Sequence, residues 1–150
     1  VKTTVTRILG WSAAACWLAA WFLPVVDNHP GWDAFYSTLT GPFRESSPTR
    51  GEDAVIHLLS ASTNAVFVVL FAHWYLERLA RPAMFLKVAL ACLLLNLYWP
   101  VQLLRVGELS GLLVGYYAWE LSFALLVAIG VLSAVSARRT SRTPRADTPA

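Results

Sequence analysis

Residues 112–137 read LLVGYYAWELSFALLVAIGVLSAVSA, and the only charge in this stretch is Glu120. An unbroken apolar run longer than about 18 residues is the signature of a membrane span. Within such a span an acid at the bilayer centre costs roughly 2.5–3.5 kcal/mol, even on lenient insertion scales. Glu120 therefore demands partners, and they must come from the other apolar runs.

Three such runs precede it. Residues 8–26 (ILGWSAAACWLAAWFLPVV) carry no charge. They are too long for a signal-peptide core, and bulky Trp17, Trp21, Phe22 and Pro24 stand where a small-residue cleavage site belongs. We read a retained first span. Residues 54–76 form the second, and its first half is unusually polar: His57, Ser60, Ser62, Thr63 and Asn64. Residues 83–104 form the third, with Lys87 close enough to its start to snorkel to the interface. The chain is 57% hydrophobic and only 14% charged, against about 25% charged in soluble domains. The fold class expected is thus an all-α membrane protein: one domain over residues 1–137, a four-helix transmembrane bundle with spans at about 8–26, 54–76, 83–104 and 112–137. Residues 138–150 are basic, rich in Ser, Thr and Pro, and read as a disordered cytoplasmic tail.

The connections set the orientation. With the N-terminus inside, the cytoplasmic segments hold Lys2, Arg7, Arg78, Arg81, Lys87, Arg138, Arg139, Arg142 and Arg145, and the outer ones only Arg44, Arg50 and Arg105. The positive-inside rule then places both termini in the cytoplasm, and a bacterial inner membrane is the expected location. The longest connection, 27–53, contains Trp32, Phe35, Tyr36 and Leu39 at the i, i+3, i+4, i+7 spacing of one helical face. Pro30-Gly31 before it and Gly41-Pro42 after it break the chain, so a short helix in the headgroup layer is expected.

Depth brings the polar groups together. Glu120 lies eight residues from the outer start of its span and Asn96 eight from the outer end of the third, each about 12 Å deep. Asn64 lies ten residues in, and His57 shares its face seven residues earlier. Pro100 lacks an N–H, so the Asn96 carbonyl loses its helical donor and a kink is expected across 96–102. The expected site is a polar pocket in the outer half, lined by Glu120, Asn96, Asn64 and His57, walled by Tyr116, Tyr117 and Trp99, and covered by the 32–39 helix. The plainer alternative is that the asparagines only pin helices together, at about 0.6 kcal/mol per interhelical hydrogen bond.

No nucleotide-binding glycine loop, zinc-ligand spacing, nucleophile elbow or paired carboxylates occur. Neither a catalytic residue nor a metal or cofactor is expected. A haem between His57 and His73 fails on distance, since sixteen residues of helix separate them by about 24 Å. Cys16 and Cys92 sit mid-run as small packing residues. Four spans with one embedded acid are superficially similar to small multidrug transporters. Here, however, the acid is in the last span rather than the first, and no family is assigned.

The leading functional expectation is a non-enzymatic bundle or subunit that assembles with itself or a membrane partner. Small-residue faces (Gly10, Ala13, Ala14; Ser60, Ala61, Ala65) suit such packing, and the basic tail suits anionic lipid headgroups. The alternative is a binder or transporter of a small amphipathic or cationic molecule with Glu120 as counter-charge. An intramembrane lipid-modifying enzyme using His57 and Glu120 is the least favoured.

Overall fold

The computed structural model describes residues 4–26, 28–43, 52–76, 81–107 and 109–142. It is mostly helical. Helix α1 spans Thr4–Phe22, a short hairpin follows as β1 (Pro24–Val26) and β2 (His29–Pro30), and α2 spans Gly31–Thr40. Then come α3 (Glu52–Tyr75), α4 (Pro82–Asn96), α5 (Tyr98–Val106) and α6 (Val114–Arg142). Among the described residues, three helices are long and apolar enough to cross a membrane: Ala54–Tyr75, Pro82–Arg105 (α4 and α5 together) and Val114–Arg138.

The first apolar run is shorter as a helix than its hydropathy suggests. It ends at Phe22, because Pro24 cannot continue a helix, and Val25 and Val26 turn into strand. The hairpin pairs Pro24 with Pro30 and Val26 with His29. Asn28 at its turn takes φ 66°, the left-handed region that asparagine tolerates better than most residues. The C-terminal segment departs the other way. Helix α6 continues through Arg138 to Arg142, past the point where a disordered tail was expected. Residues 143–150 lie outside the described residues. So do Lys2, Arg44, Arg50, Arg78 and Arg145 of the charge count.

Helix α6 is the central element and packs most extensively against α1 and α4. Its start meets the end of α1: a Cβ on Gly115 would lie 2.7 Å from the Pro24 carbonyl and 2.8 Å from that of Leu23. Only glycine permits that approach. Leu113 N–H also donates to the Val25 carbonyl at 2.9 Å, tying α6 to the hairpin. At the far end Gly130 packs on Leu86 of α4, while Tyr116 meets Asn96, so α4 and α6 run antiparallel. Gly10 of α1 sits under the Trp74 indole near the end of α3. Neighbouring long helices therefore alternate in direction.

The core is Phe67, Leu70 and Trp74 of α3, Phe85, Ala89 and Cys92 of α4, and Phe123, Leu126 and Ile129 of α6, with Ala13 of α1. Large apolar side chains such as Val68, Leu94 and Leu121 face outward, as lipid-facing residues of a span should.

Candidate functional site

The site lies where α1 and α4–α5 finish and α3 and α6 begin. The chain breaks at Leu97, between α4 and α5, four residues after Leu93 and three before Pro100. Pro100 has no N–H to give the Asn96 carbonyl. The Tyr116 hydroxyl donates to it instead, at 2.6 Å. A backbone acceptor freed by proline is thus satisfied by a side chain of another helix, as hydrocarbon surroundings require.

From this contact a polar chain runs across four helices, α3 to α6. The Asn96 side chain is fully buried. Its Oδ1 accepts from Ser60 Oγ at 3.2 Å, and its Nδ2 donates to Thr63 Oγ1 at 3.4 Å, both on α3. Ser60 Oγ in turn accepts from Trp99 Nε1 at 3.1 Å. Ser60 and Thr63 fit here because they are three residues apart, one above the other on the face of α3 that meets α4. On the other side the Tyr116 hydroxyl stands 3.2 Å from Glu120 Oε1, one helical turn further along α6. Glu120 is only 9% exposed, and its Oε2 has no hydrogen-bond partner among the described residues.

Beside this chain is a cavity of about 430 Å³, within the range of small-molecule sites. Its floor and walls come from Ala20 and Trp21 of α1, His57, Ser60, Ala61 and Asn64 of α3, Trp99 and Leu103 of α5, Leu112 just before α6, and Tyr116 and Trp119 of α6. The hairpin contributes Val25, Val26 and His29, and α2 covers it with Gly31, Ala34, Phe35, Ser37 and Thr38. The α2 backbone presses so close to α1 that a Cβ on Gly31 would overlap the Ala20 carbonyl.

The residues singled out by sequence divide into three groups. His57, Asn64, Trp99 and Tyr116 line the cavity. Asn96 and Glu120 do not; they are buried one layer behind it, joined to the wall through Ser60 and Tyr116. Tyr117 is 51% exposed and does not line the cavity, although its ring stands edge-on to that of Tyr116, centroids 5.9 Å apart. The rings of α2 also split. Phe35 turns inward against Trp21, ring centroids 5.1 Å apart, while Trp32, Tyr36 and Leu39 are exposed.

Two contributors were not anticipated. The hairpin wall was masked by the apolar character of Val25 and Val26, although Pro24 signalled the break. Trp17 donates to Asn64 Oδ1 at 3.1 Å. Nothing local marks that pairing, because 47 residues separate the two.

Chemically, the wall carries no Lys, Arg, Asp or Glu among the described residues. His29 is engaged by Asp33 at 2.6 Å. His57 lies edge-on to Trp99, centroids 4.6 Å apart. No group of three or more His, Cys, Asp or Glu side chains that could hold a metal occurs among the described residues. Comparison of the chain with protein-family models, with curated proteins and with solved structures found no match.

Proposed function

We propose that this is a non-enzymatic membrane protein that holds a small, uncharged amphipathic molecule in the cavity beneath α2. In this reading α1 is a fourth span, both termini face the cytoplasm of a bacterial cell, and the cavity opens in the outer half of the bundle. The observation that carries the reading is the wall itself: it is concave and largely apolar, and among the described residues it is free of carboxylate, ammonium and guanidinium groups. A charged ligand there would lose its hydration with nothing to replace it. Glu120 as counter-charge to a cation is therefore the weaker form of the idea, since Tyr116 stands between the acid and the cavity.

The exposed rings Trp32 and Tyr36, with Leu39, support placing α2 in the headgroup layer, where amphipathic rings partition. A molecule dissolved in the bilayer would then meet the cavity beneath that helix. Arg138, towards the end of α6, suits anionic headgroups at the opposite surface, worth about 1 kcal/mol.

The test is extraction of the protein in mild detergent, followed by mass spectrometry of what it retains. Wild type keeps a neutral amphipathic molecule; Ala34→Phe, which fills the space from the α2 side, loses it. A wild-type protein that retains nothing beyond what empty detergent micelles carry would overturn the proposal. Assembly with itself or a larger membrane protein is the second reading, and the particle mass in the same experiment reports on it. Its main support, the small-residue faces, is largely consumed within the chain: Gly10 lies against Trp74, and Ala13, Ser60 and Ala61 are buried.

A further inference from the structure

We infer that Asn64 is the specificity-determining residue of the cavity, and that it selects an occupant bearing a carbonyl-type hydrogen-bond acceptor on an apolar body. This rests on the cavity being a binding site. The argument is a count of donors on the wall. An asparagine amide can ordinarily present either its oxygen or its nitrogen, but an indole N–H can only donate. Trp17 Nε1, 3.1 Å from Asn64 Oδ1, therefore fixes the oxygen towards α1. Asn64 Nδ2 gives one hydrogen to the Ala61 carbonyl at 3.3 Å. The second has no acceptor among the described residues.

Of the four hydroxyl donors on the wall three are spent, and the fourth, Ser37, belongs to an exposed residue of α2. The Ser60 hydroxyl donates to Asn96, Thr38 to the Ala34 carbonyl at 2.7 Å, and Tyr116 to the Asn96 carbonyl. The Trp119 Nε1–H also lacks a partner, but that atom is sealed from the cavity surface. Among the wall's remaining donors, which include Ser37 and the Trp21 indole, the Asn64 amide hydrogen is the one whose direction two hydrogen bonds fix, above an apolar floor of Ala20, Ala61 and Leu112. Its complement is a ketone, ester or aldehyde oxygen. A primary ammonium group, all donor, cannot pair with that hydrogen, and a pure hydrocarbon leaves it unpaired. At about 30 Å³ for each water-sized group, 430 Å³ holds about 14 non-hydrogen atoms.

The probes follow from that size: 2-tridecanone as the acceptor ligand, tetradecane as its hydrocarbon match and 2-tridecanol as a ligand that also donates. The full chain is reconstituted in lipid nanodiscs and equilibrated with each. Retention above that of empty nanodiscs is measured by gas chromatography. Wild type should favour the ketone over the alkane by about three- to tenfold, the yield of one net hydrogen bond. Asn64→Leu should bring that ratio close to one. Trp17→Phe keeps a ring against Phe67 but releases the amide, so its oxygen can turn inward and the alcohol should gain on the ketone by about threefold.

The outcomes separate. If wild type retains none of the three, the cavity reading itself falls. If wild type retains ketone and alkane equally, or Asn64→Leu keeps the ketone preference, the cavity stands and the role of Asn64 is refuted. If Asn64→Leu is not recovered as a folded, monodisperse protein, Trp17→Phe decides: an unchanged alcohol-to-ketone ratio overturns the inference, and a raised one upholds it.

Discussion

At the end of the molecule where α1 begins and α3 finishes, Trp74 is 1% exposed and lies within ring contact of Trp11 and Phe71. Phe85, Leu126 and Ile129 complete a dry layer with no polar side chain among them. At the opposite end the same helices hold Ser60, Thr63, Asn96, Tyr116 and Glu120 out of contact with water and leave a cavity beside them. Lipid tails are as apolar as leucine, so neither end gains much from excluding hydrocarbon. The first is held by shape, through dispersion between interlocking rings. The second is held by direction, through hydrogen bonds that would be lost if a helix rotated. Directional bonds fix positions without filling space, which is why the cavity can persist at that end and not at the other.

Breaking the shape-held end should cost most. Phe123 is completely buried between Phe67 and Trp119, edge-on to both. Phe123→Ala should lower stability by about 3 kcal/mol, the low edge of the soluble range, because the transfer term is weak in lipid while the lost packing remains. Unfolding in mixed micelles measures it. A loss no greater than that of a surface substitution would mean that the ring layer does not hold the helices together.

Next comes the directional end. Tyr116→Phe keeps the ring and removes the hydroxyl, stranding the Asn96 carbonyl freed by Pro100. An unpaired buried acceptor costs about 1–3 kcal/mol, so a loss near 2 is expected in the same unfolding measurement. If Pro100→Ala, which restores a backbone donor, rescues part of that loss in the double variant, the two residues are coupled as described. Additive effects would show that Tyr116 stabilises the fold in some other way.

The difference between the ends also explains what sequence reasoning could reach. Periodicity and run length find long apolar helices, and three are present among the described residues. The break near Pro100 was legible because proline acts on its own helix. The ring spacing of α2 marked a helix but misassigned Phe35, since an arc that includes i+3 and i+4 is wide enough to face two ways. Depth counting put Asn96 and Glu120 at one level, and they are joined there by Tyr116. It could not say which side of each helix faced the cavity, so Glu120 and Tyr117 were expected on its wall. Pairings such as Trp17 with Asn64 depend on helix rotation, which a hydropathy pattern in lipid leaves undetermined because apolar residues are needed on every side.

The smallest expected effect is at Glu120, and it decides whether the acid belongs to the cavity or to the framework. The Tyr116 hydroxyl has one proton and two oxygens in reach, the Asn96 carbonyl at 2.6 Å and Glu120 Oε1 at 3.2 Å. The shorter contact takes the proton, so the carboxyl group adds little to the Tyr116 lock. Glu120→Gln keeps the size of the side chain and one carbonyl oxygen, and its new N–H can donate to the Tyr116 oxygen. Stability should change by less than about 0.6 kcal/mol, the average of one interhelical hydrogen bond. Retention of a neutral ligand should not change, because the side chain is off the cavity wall. A large fall in retention with unchanged stability would mean that negative charge at Glu120 acts on the occupant through Tyr116. The cavity would then belong to a cation after all, and the two ends would differ in electrostatics as well as in packing.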